Sequence, residues 1–331
     1  MKGTVGLCNV GNTCYLNATI QCLRHCTDLS KFMISENYKE YLKDNNEKYL
    51  LTTWHELLYK LWSGSSTAPY NPTQFIRTFI SVSQSAGYST FISFQQNDVD
   101  EFLVNLINML HNGMSYKMEY SLSGEAVTEQ DKHALQAYKR WKGFFESDYS
   151  IFVKHFYSQY ITKTECPECD YVTYSYDPTL VVHLPIPNKE DVTLYDCFDL
   201  FTDGEELDSD NKWTCDKCKV SCQATVHNKF WDTSKYFIIL LKRYNRFSKN
   251  NSYIDIPEEL DIKKYAINYR KGIFKYSLFG ICHHSGGMGG GHYYASCKTK
   301  DNWYEYNDTN VKKLDDVDFD NAYCLFYRLI E

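Results

Sequence analysis

A cysteine that follows a string of turn residues and opens a helix is placed for nucleophilic chemistry, and Gly6-Leu-Cys-Asn-Val-Gly-Asn-Thr-Cys14-Tyr-Leu-Asn17 puts Cys14 in that position. Leu16, Ile20 and Leu23 follow at i, i+4 and i+7, one face of a helix, and Asn12 or Thr13 is suited to cap it. In the first turn, unpaired N–H groups and the positive end of the helix dipole favour thiolate over thiol. The same N–H groups, with the Asn9 side chain, are placed to stabilise an oxyanion. A lone cysteine also packs as a small hydrophobe, so this reading requires a base. His292, in Gly290-Gly-His-Tyr-Tyr-Ala295, supplies one. The polar run after Cys297 and the strand-like Trp303-Tyr-Glu-Tyr-Asn307-Asp308 predict a hairpin. A turn centred near Lys300 sets His292 opposite Asn307 or Asp308 within one register step, where facing Cβ atoms lie about 4.5 to 5.5 Å apart. Strand alternation points Asn307 and Asp308 to opposite faces, so one of them orients the imidazole.

A second constellation points to a metal. Cys166-Pro-Glu-Cys169 and Cys215-Asp-Lys-Cys218 are two CxxC pairs 45 residues apart, each able to offer two thiolates from a tight knuckle. Four cysteines fill the tetrahedral coordination of zinc and leave no position for water, so a structural Cys₄ zinc site is expected rather than a catalytic one. A thioredoxin-type redox pair fits less well, because neither CxxC opens a helix in a βαβ context.

The elements that must carry these residues divide the chain. Residues 1 to about 145 predict helices, with Val99, Phe102, Leu103, Leu106, Ile107 and Leu110 forming an amphipathic stripe. Beyond about 150, Phe152–Thr162, Tyr171–Leu184, Lys235–Tyr244, Tyr276–His283, His292–Cys297 and Tyr323–Leu329 are rich in Tyr, Val, Ile and Phe and predict strands. Helices first and strands later imply an α+β fold. With 331 residues, no internal repeat and no Pro-rich or Gly/Ser-rich linker, one interdigitated unit is expected. The balance of 35 basic and 42 acidic residues gives 35 − 42 = −7, which disfavours a nucleic-acid binder. The strongest apolar run, Tyr236–Leu241, is far shorter than the roughly 20 residues of a membrane span. No secretory signal is apparent, so a cytoplasmic or nuclear protein without a disulfide framework is expected.

Taken in order, Gly6–Asn17, Gln96-Asn-Asp-Val-Asp-Glu-Phe102, the two CxxC pairs, Leu241-Lys-Arg-Tyr244 and Gly290–Ala295 resemble the motifs of the ubiquitin-specific proteases, a family of cysteine deubiquitinases. The resemblance spans nearly the whole chain. It implies a papain-like catalytic domain: a helical thumb over about 1–145, zinc-bearing β fingers with part of the palm over about 146–235, and the β-rich palm over about 236–331. It implies Cys14 as nucleophile, His292 as base, Asn307 as the orienting residue and Asn9 as an oxyanion donor. Asp308 is a rival or helper to Asn307, since some relatives use that position. Substrate contacts are implied for Gln96, Asp98, Glu101 and Gly291, although Asp98 and Glu101 also fit a helix-capping pair. Tyr244 stands where Phe is more usual and is assigned to core packing. The glycine-rich run His283–Gly291 is expected to form a loop over a narrow channel that admits a Gly-Gly tail.

The implied function is thiol-dependent hydrolysis after the C-terminal glycine of ubiquitin, with zinc as a structural cofactor and ubiquitin or its conjugates as partner. The alternatives are an idle ubiquitin-binding scaffold and a protease for a ubiquitin-like modifier. A monomer without accessory domains, and hence without strong linkage preference, is expected.

Overall fold

Helices come first. The computed structural model describes residues 3–64, 68–88, 91, 95–245, 247–267, 274–287 and 289–330. In its first part lie α1 (Cys14–Arg24), α2 (Thr27–Ile34), α3 (Glu47–Trp62), α4 (Thr73–Ser85), α5 (Val99–Asn112) and α6 (Glu129–Phe145). The α5 stripe is buried as its periodicity predicts. In α1 every residue is buried, the polar ones included. Hydrogen bonds make this tolerable: Thr19 Oγ1 donates to Tyr15 O, Gln21 Nε2 to Val5 O, and Arg24 Nη2 to Gly3 O. The helix that carries Cys14 is therefore a central strut, gripped on all sides.

The segment predicted as one strand over Phe152–Thr162 divides into a short helix, α7 (Ile151–Phe156), followed by β1 (Ser158–Glu165). Ser150 accounts for the difference: its hydroxyl accepts from Phe152 N and starts a helical turn that outweighs the aromatic composition. The next strands are β2 (Val172–Thr179), β3 (Val181–Leu184) and β4 (Val192–Thr193). They lead to α8 (Leu194–Asp203), which is opened by a Thr193/Asp196 capping box. The remaining strands are β5 (Glu205–Glu206), β6 (Trp213–Thr214), β7 (Ser221–Cys222), β8 (Thr225–Asp232), β9 (Tyr236–Leu241), β10 (Ile254–Asp255), β11 (Glu259–Asp261), β12 (Lys275–Gly287), β13 (Gly290–Thr299), β14 (Asn302–Asn307), β15 (Asn310–Lys313) and β16 (Ala322–Leu329).

Two larger sheets result. One is an arm in the order β2-β1-β8-β5, and the other is a central sheet in the order β15-β14-β13-β12-β16-β9-β3, with β11 added to β12. The central sheet is covered on both faces, which explains the uninterrupted apolar run of β9. Tyr236, Ile238 and Leu240 face the helices, while Phe237, Ile239 and Leu241 face a second core with Phe198, Ile254 and Tyr265. Helix α1 crosses β12 where residue 280 is glycine, and a Cβ there would stand 3.2 Å from Cys22 Sγ. Helix α6 lies on the arm: Ala134 and Ala137 pack with Ile161 and Trp231, and Arg140 pairs with Asp177 at 2.9 Å. Among the described residues no helix is long and apolar enough to cross a membrane.

Burial holds four histidines, His111, His155, His283 and His284, down to about 4, so they are neutral in the folded protein. An unfolded histidine titrates near 6.5. Their contribution to stability is therefore complete above pH 6.5 and is lost as pH falls towards 4, because the unfolded chain takes up protons that the folded one refuses. The thermal midpoint should be flat from pH 7 to 8 and fall steeply below 6.5. Calorimetry across that range checks this, and a midpoint unchanged at pH 5 would contradict it.

Candidate active site

Cys14 is the first residue of α1, and the preceding Gly11 and Asn12 have the left-handed φ values of 107° and 54° that turn the chain into the helix. Thr13 occupies the cap position, but its side chain does not cap; Thr13 Oγ1 instead accepts from Val10 N. The Sγ of Cys14 receives backbone N–H groups from Tyr293, Tyr15 and Cys14 itself. Burial nevertheless raises the Cys14 thiol above its ordinary range, and the Asp308 carboxylate adds to the effect. This corrects the expectation from the helix dipole: the N–H groups lower the thiol as foreseen, but loss of solvent is the larger influence.

On the neighbouring hairpin, the β13–β14 ladder pairs Ala295 with Tyr306 and Thr299 with Asn302, then opens before reaching His292. Across the opening, His292 Nε2 lies 2.8 Å from Asn307 Oδ1. With an amide oxygen as acceptor the ring proton sits on Nε2, so Nδ1 keeps its lone pair and is the basic nitrogen. Asp308 is turned away by a left-handed backbone, φ 50°, and its carboxylate serves other partners. It accepts from Asn9 Nδ2 at 3.0 Å and from Asn17 Nδ2 at 2.8 Å, while its carbonyl accepts from Leu7 N at 2.9 Å. Of the two candidates, then, Asn307 touches the imidazole and Asp308 fastens the cysteine-bearing segment to the hairpin. Gly6 belongs to that seam: a Cβ there would meet the carbonyl oxygens of Thr309 and Asp308 at 2.6 and 2.7 Å. Asn9 is fixed on both sides, its Oδ1 accepting from Gly11 N and Thr13 N at 3.1 and 3.2 Å. Asp308 takes one of its two amide hydrogens.

A cavity of about 520 Å³ adjoins the hairpin, lined by residues that include Gln96, Asp98, Glu101, Tyr244, His284 and Gly291. The four substrate-contact candidates thus share one wall system. Gln96 Nε2 donates to Gly291 O at 2.6 Å, joining helical part and sheet. Asp98 caps α5 through Asp100 N at 2.8 Å, and it accepts Tyr293 OH and Tyr323 OH at 3.0 and 2.9 Å. Burial holds its carboxyl above the usual range. No capping box forms with Glu101. The glycine run is ladder rather than loop, pairing Gly286 with Gly291 and Gly287 with Gly290. Met288 at its tip lies outside the described residues. Tyr244, assigned from sequence to core packing, packs against the first core and also lines the cavity, where its hydroxyl is hydrogen-bonded with His284 Nδ1. The roles of Asn17, the Tyr293 N–H, His284 and Lys249 were missed from sequence, although Asn17 and Tyr293 lie inside the motifs.

The four CxxC cysteines converge at the tip of the arm, with ligand atoms all within 4.8 Å of one another. Cys166 and Cys218 Sγ are 3.8 Å apart, and Cys169 and Cys215 Sγ 3.7 Å. Sulfurs about 2.3 Å from one tetrahedral ion stand about 3.8 Å from each other, so the donor set fits such an ion. A fifth thiol, Cys222, lies 3.9 Å from Cys166 Sγ but outside the set.

Comparison with known proteins gives the family and the fold. The family model described as ubiquitin carboxyl-terminal hydrolase matches residues 5–327. Ubiquitin carboxyl-terminal hydrolase 4 of Saccharomyces cerevisiae (strain RM11-1a) is 30% identical over 98% of this chain and 39% of its own length. Ubiquitin carboxyl-terminal hydrolase 21 of Homo sapiens is 31% identical over 100% of this chain and 62% of its own. The chain therefore spans about two-fifths to three-fifths of the length of these relatives. Among solved structures, the SAGA DUB module Ubp8/Sgf11/Sus1/Sgf73 bound to monoubiquitin superposes with a TM-score of 0.73 at 24% identity, covering 100% of this chain and 70% of that one. That likeness establishes the shared α+β fold. By the family match along almost its entire length, the chain belongs to the ubiquitin carboxyl-terminal hydrolase family.

Proposed function

We propose that this chain hydrolyses the peptide or isopeptide bond after the C-terminal glycine of ubiquitin through a Cys14 thioester. The observation that carries the reading is the His292–Asn307 bond next to Tyr293, whose N–H meets the sulfur of the helix-opening Cys14 and which lines a glycine-walled cavity. The names of its relatives supply the substrate class. Burial raises the Cys14 thiol, so His292 Nδ1 acts as general base when substrate arrives, taking the thiol proton as sulfur attacks the glycine carbonyl. The Cys14 backbone N–H and the second Nδ2 hydrogen of Asn9 hold the oxyanion. The imidazolium then protonates the leaving amine, and a water activated by His292 releases ubiquitin from the thioester. Asp308 is a positioning residue that locks Asn9 and Asn17. Glu101 is the carboxylate available to basic residues of the ubiquitin tail, and Asp98 stands behind it, already engaged by two tyrosines.

Zinc is the ion that Cys166, Cys169, Cys215 and Cys218 would hold. It would supply cross-linking of the arm and no chemistry on the substrate. The division into thumb, fingers and palm follows the same reading, with the arm strands as fingers.

The test is hydrolysis of a fluorogenic amide on the C-terminus of ubiquitin, with the corresponding amide of a ubiquitin-like modifier alongside. Turnover of ubiquitin at least tenfold more efficient than of the modifier is expected. Preference for the modifier would reassign the substrate, and saturable ubiquitin binding without turnover would make the chain a scaffold.

A further inference from the structure

His284 is buried beside the proposed catalytic histidine, yet the mechanism above does not use it. Its ring is held from one side. Lys249 extends its ammonium to His284 O at 2.7 Å, Gly286 O at 3.0 Å and His284 Nδ1 at 3.1 Å, so its three N–H bonds meet three acceptors. The Tyr244 hydroxyl meets the same Nδ1, whose single lone pair accepts from it or from Lys249 in turn. A lysine ammonium has no lone pair, so a nitrogen it approaches in this way cannot itself carry a proton. The ring proton must sit on Nε2. That nitrogen lies beside Gly291, where any Cβ would collide with it, and both residues line the cavity. No described group accepts its proton.

We propose that His284 Nε2–H is a fixed hydrogen-bond donor for a backbone carbonyl of the substrate's C-terminal Gly-Gly segment, with Tyr244 and Lys249 setting the tautomer that makes it one. The proposal rests on the hydrolase reading above. Burial, Lys249 and His292 together hold the His284 ring down to about 4, so it stays neutral through physiological pH. The other groups facing it are the rings of Tyr244, Tyr293 and Tyr323, with Asp98 behind them accepting from the last two. Glycine at 287 and 289, where a Cβ would stand in open space, leaves room for a substrate backbone to approach this wall. The donor role also gives the hydroxyl of Tyr244 a purpose that Phe at that position cannot serve.

Two measurements test this. In ¹⁵N-histidine spectra of the intact protein, His284 should show a protonated Nε2 and a bare Nδ1 from pH 8 down to 5.5. Lys249→Met should admit the second tautomer and raise the titration midpoint. A protonated Nδ1 in the wild type would overturn the proposal. In hydrolysis of the ubiquitin amide, His284→Ala should raise KM about tenfold, the size of one lost hydrogen bond, with kcat within threefold. His284→Gln, which restores an N–H donor, should recover part of the loss. An unchanged KM with an unchanged thermal midpoint, or a fall in kcat alone, would refute the donor role. Should the wild type fail to cleave ubiquitin, the hydrolase reading fails. Ubiquitin binding weakened about tenfold by His284→Ala would still support the donor, and binding unaffected or absent would overturn it as well.

Discussion

Replacing Cys14 by alanine should reduce hydrolysis of the ubiquitin amide by about 10⁴-fold or more, because the covalent route is lost and only binding and oxyanion contacts remain. Ubiquitin binding should survive, since Cys14 is almost fully buried and its removal leaves the cavity walls in place. His292→Ala should cost about as much, for the two residues act as one unit and their losses do not add. The raised thiol gives this prediction a second edge. A resting thiolate would be alkylated quickly at neutral pH, whereas a buried thiol held above its ordinary range should react slowly with iodoacetamide at pH 7 and faster as pH rises. Bound ubiquitin should abolish that alkylation by filling the cleft. Residual turnover in Cys14→Ala within a hundredfold of wild type would exclude the thioester route.

Removal of metal should have the other large effect, and it should be confined to one region. Zinc binding in isolated fingers supplies about 10–16 kcal/mol of folding free energy. Here the stem of the arm is already paired along β1, β2 and β8, so the whole of that energy is not at stake for the fold. The tip is different. Between α8 and β8 the regular structure is β5, β6 and β7, two residues each, and the Cys₄ cluster is what draws the two knuckles together. Chelation, or Cys215→Ser, should abolish hydrogen-exchange protection at the tip while leaving β12, β13 and β16 protected. The metal should be measurable as one equivalent of zinc in the untreated protein. Cys222→Ser should retain it, since that thiol lies beside the set rather than in it. Loss of zinc in Cys222→Ser, or a tip unaffected by chelation, would be incompatible with the site described.

The α5 helix was legible because Val99, Phe102, Leu103, Leu106, Ile107 and Leu110 keep helical period over three turns, and local periodicity needs no tertiary information. The strands β9, β12, β13 and β16 were legible from local composition, as runs rich in Tyr, Val, Ile and Phe. Short elements were not: α7 has six residues, and its start depends on one hydroxyl, Ser150, in a stretch whose composition favours a strand. The Cys₄ cluster was plain because both of its halves carry their own CxxC knuckle.

The sequence by itself singled out the residues proposed to carry the chemistry of this protein, because reactive side chains at fixed spacing advertise it: Cys14 at a helix start, His292 and Asn307 across one hairpin, four cysteines in two pairs. The tertiary structure alone decided their states and their division of labour. Whether Cys14 rests as thiol or thiolate depends on how much solvent α1 loses against β13, which no local pattern encodes. Whether Asn307 or Asp308 meets the imidazole turned on the sign of one backbone angle, φ at Asp308, which rotates that carboxylate onto Asn9 and Asn17. His284 became a donor only when Tyr244 and Lys249, some 40 residues earlier in the chain, were folded against it. Contacts between segments this far apart are set by packing, and packing is the part of the physics that a linear reading does not contain.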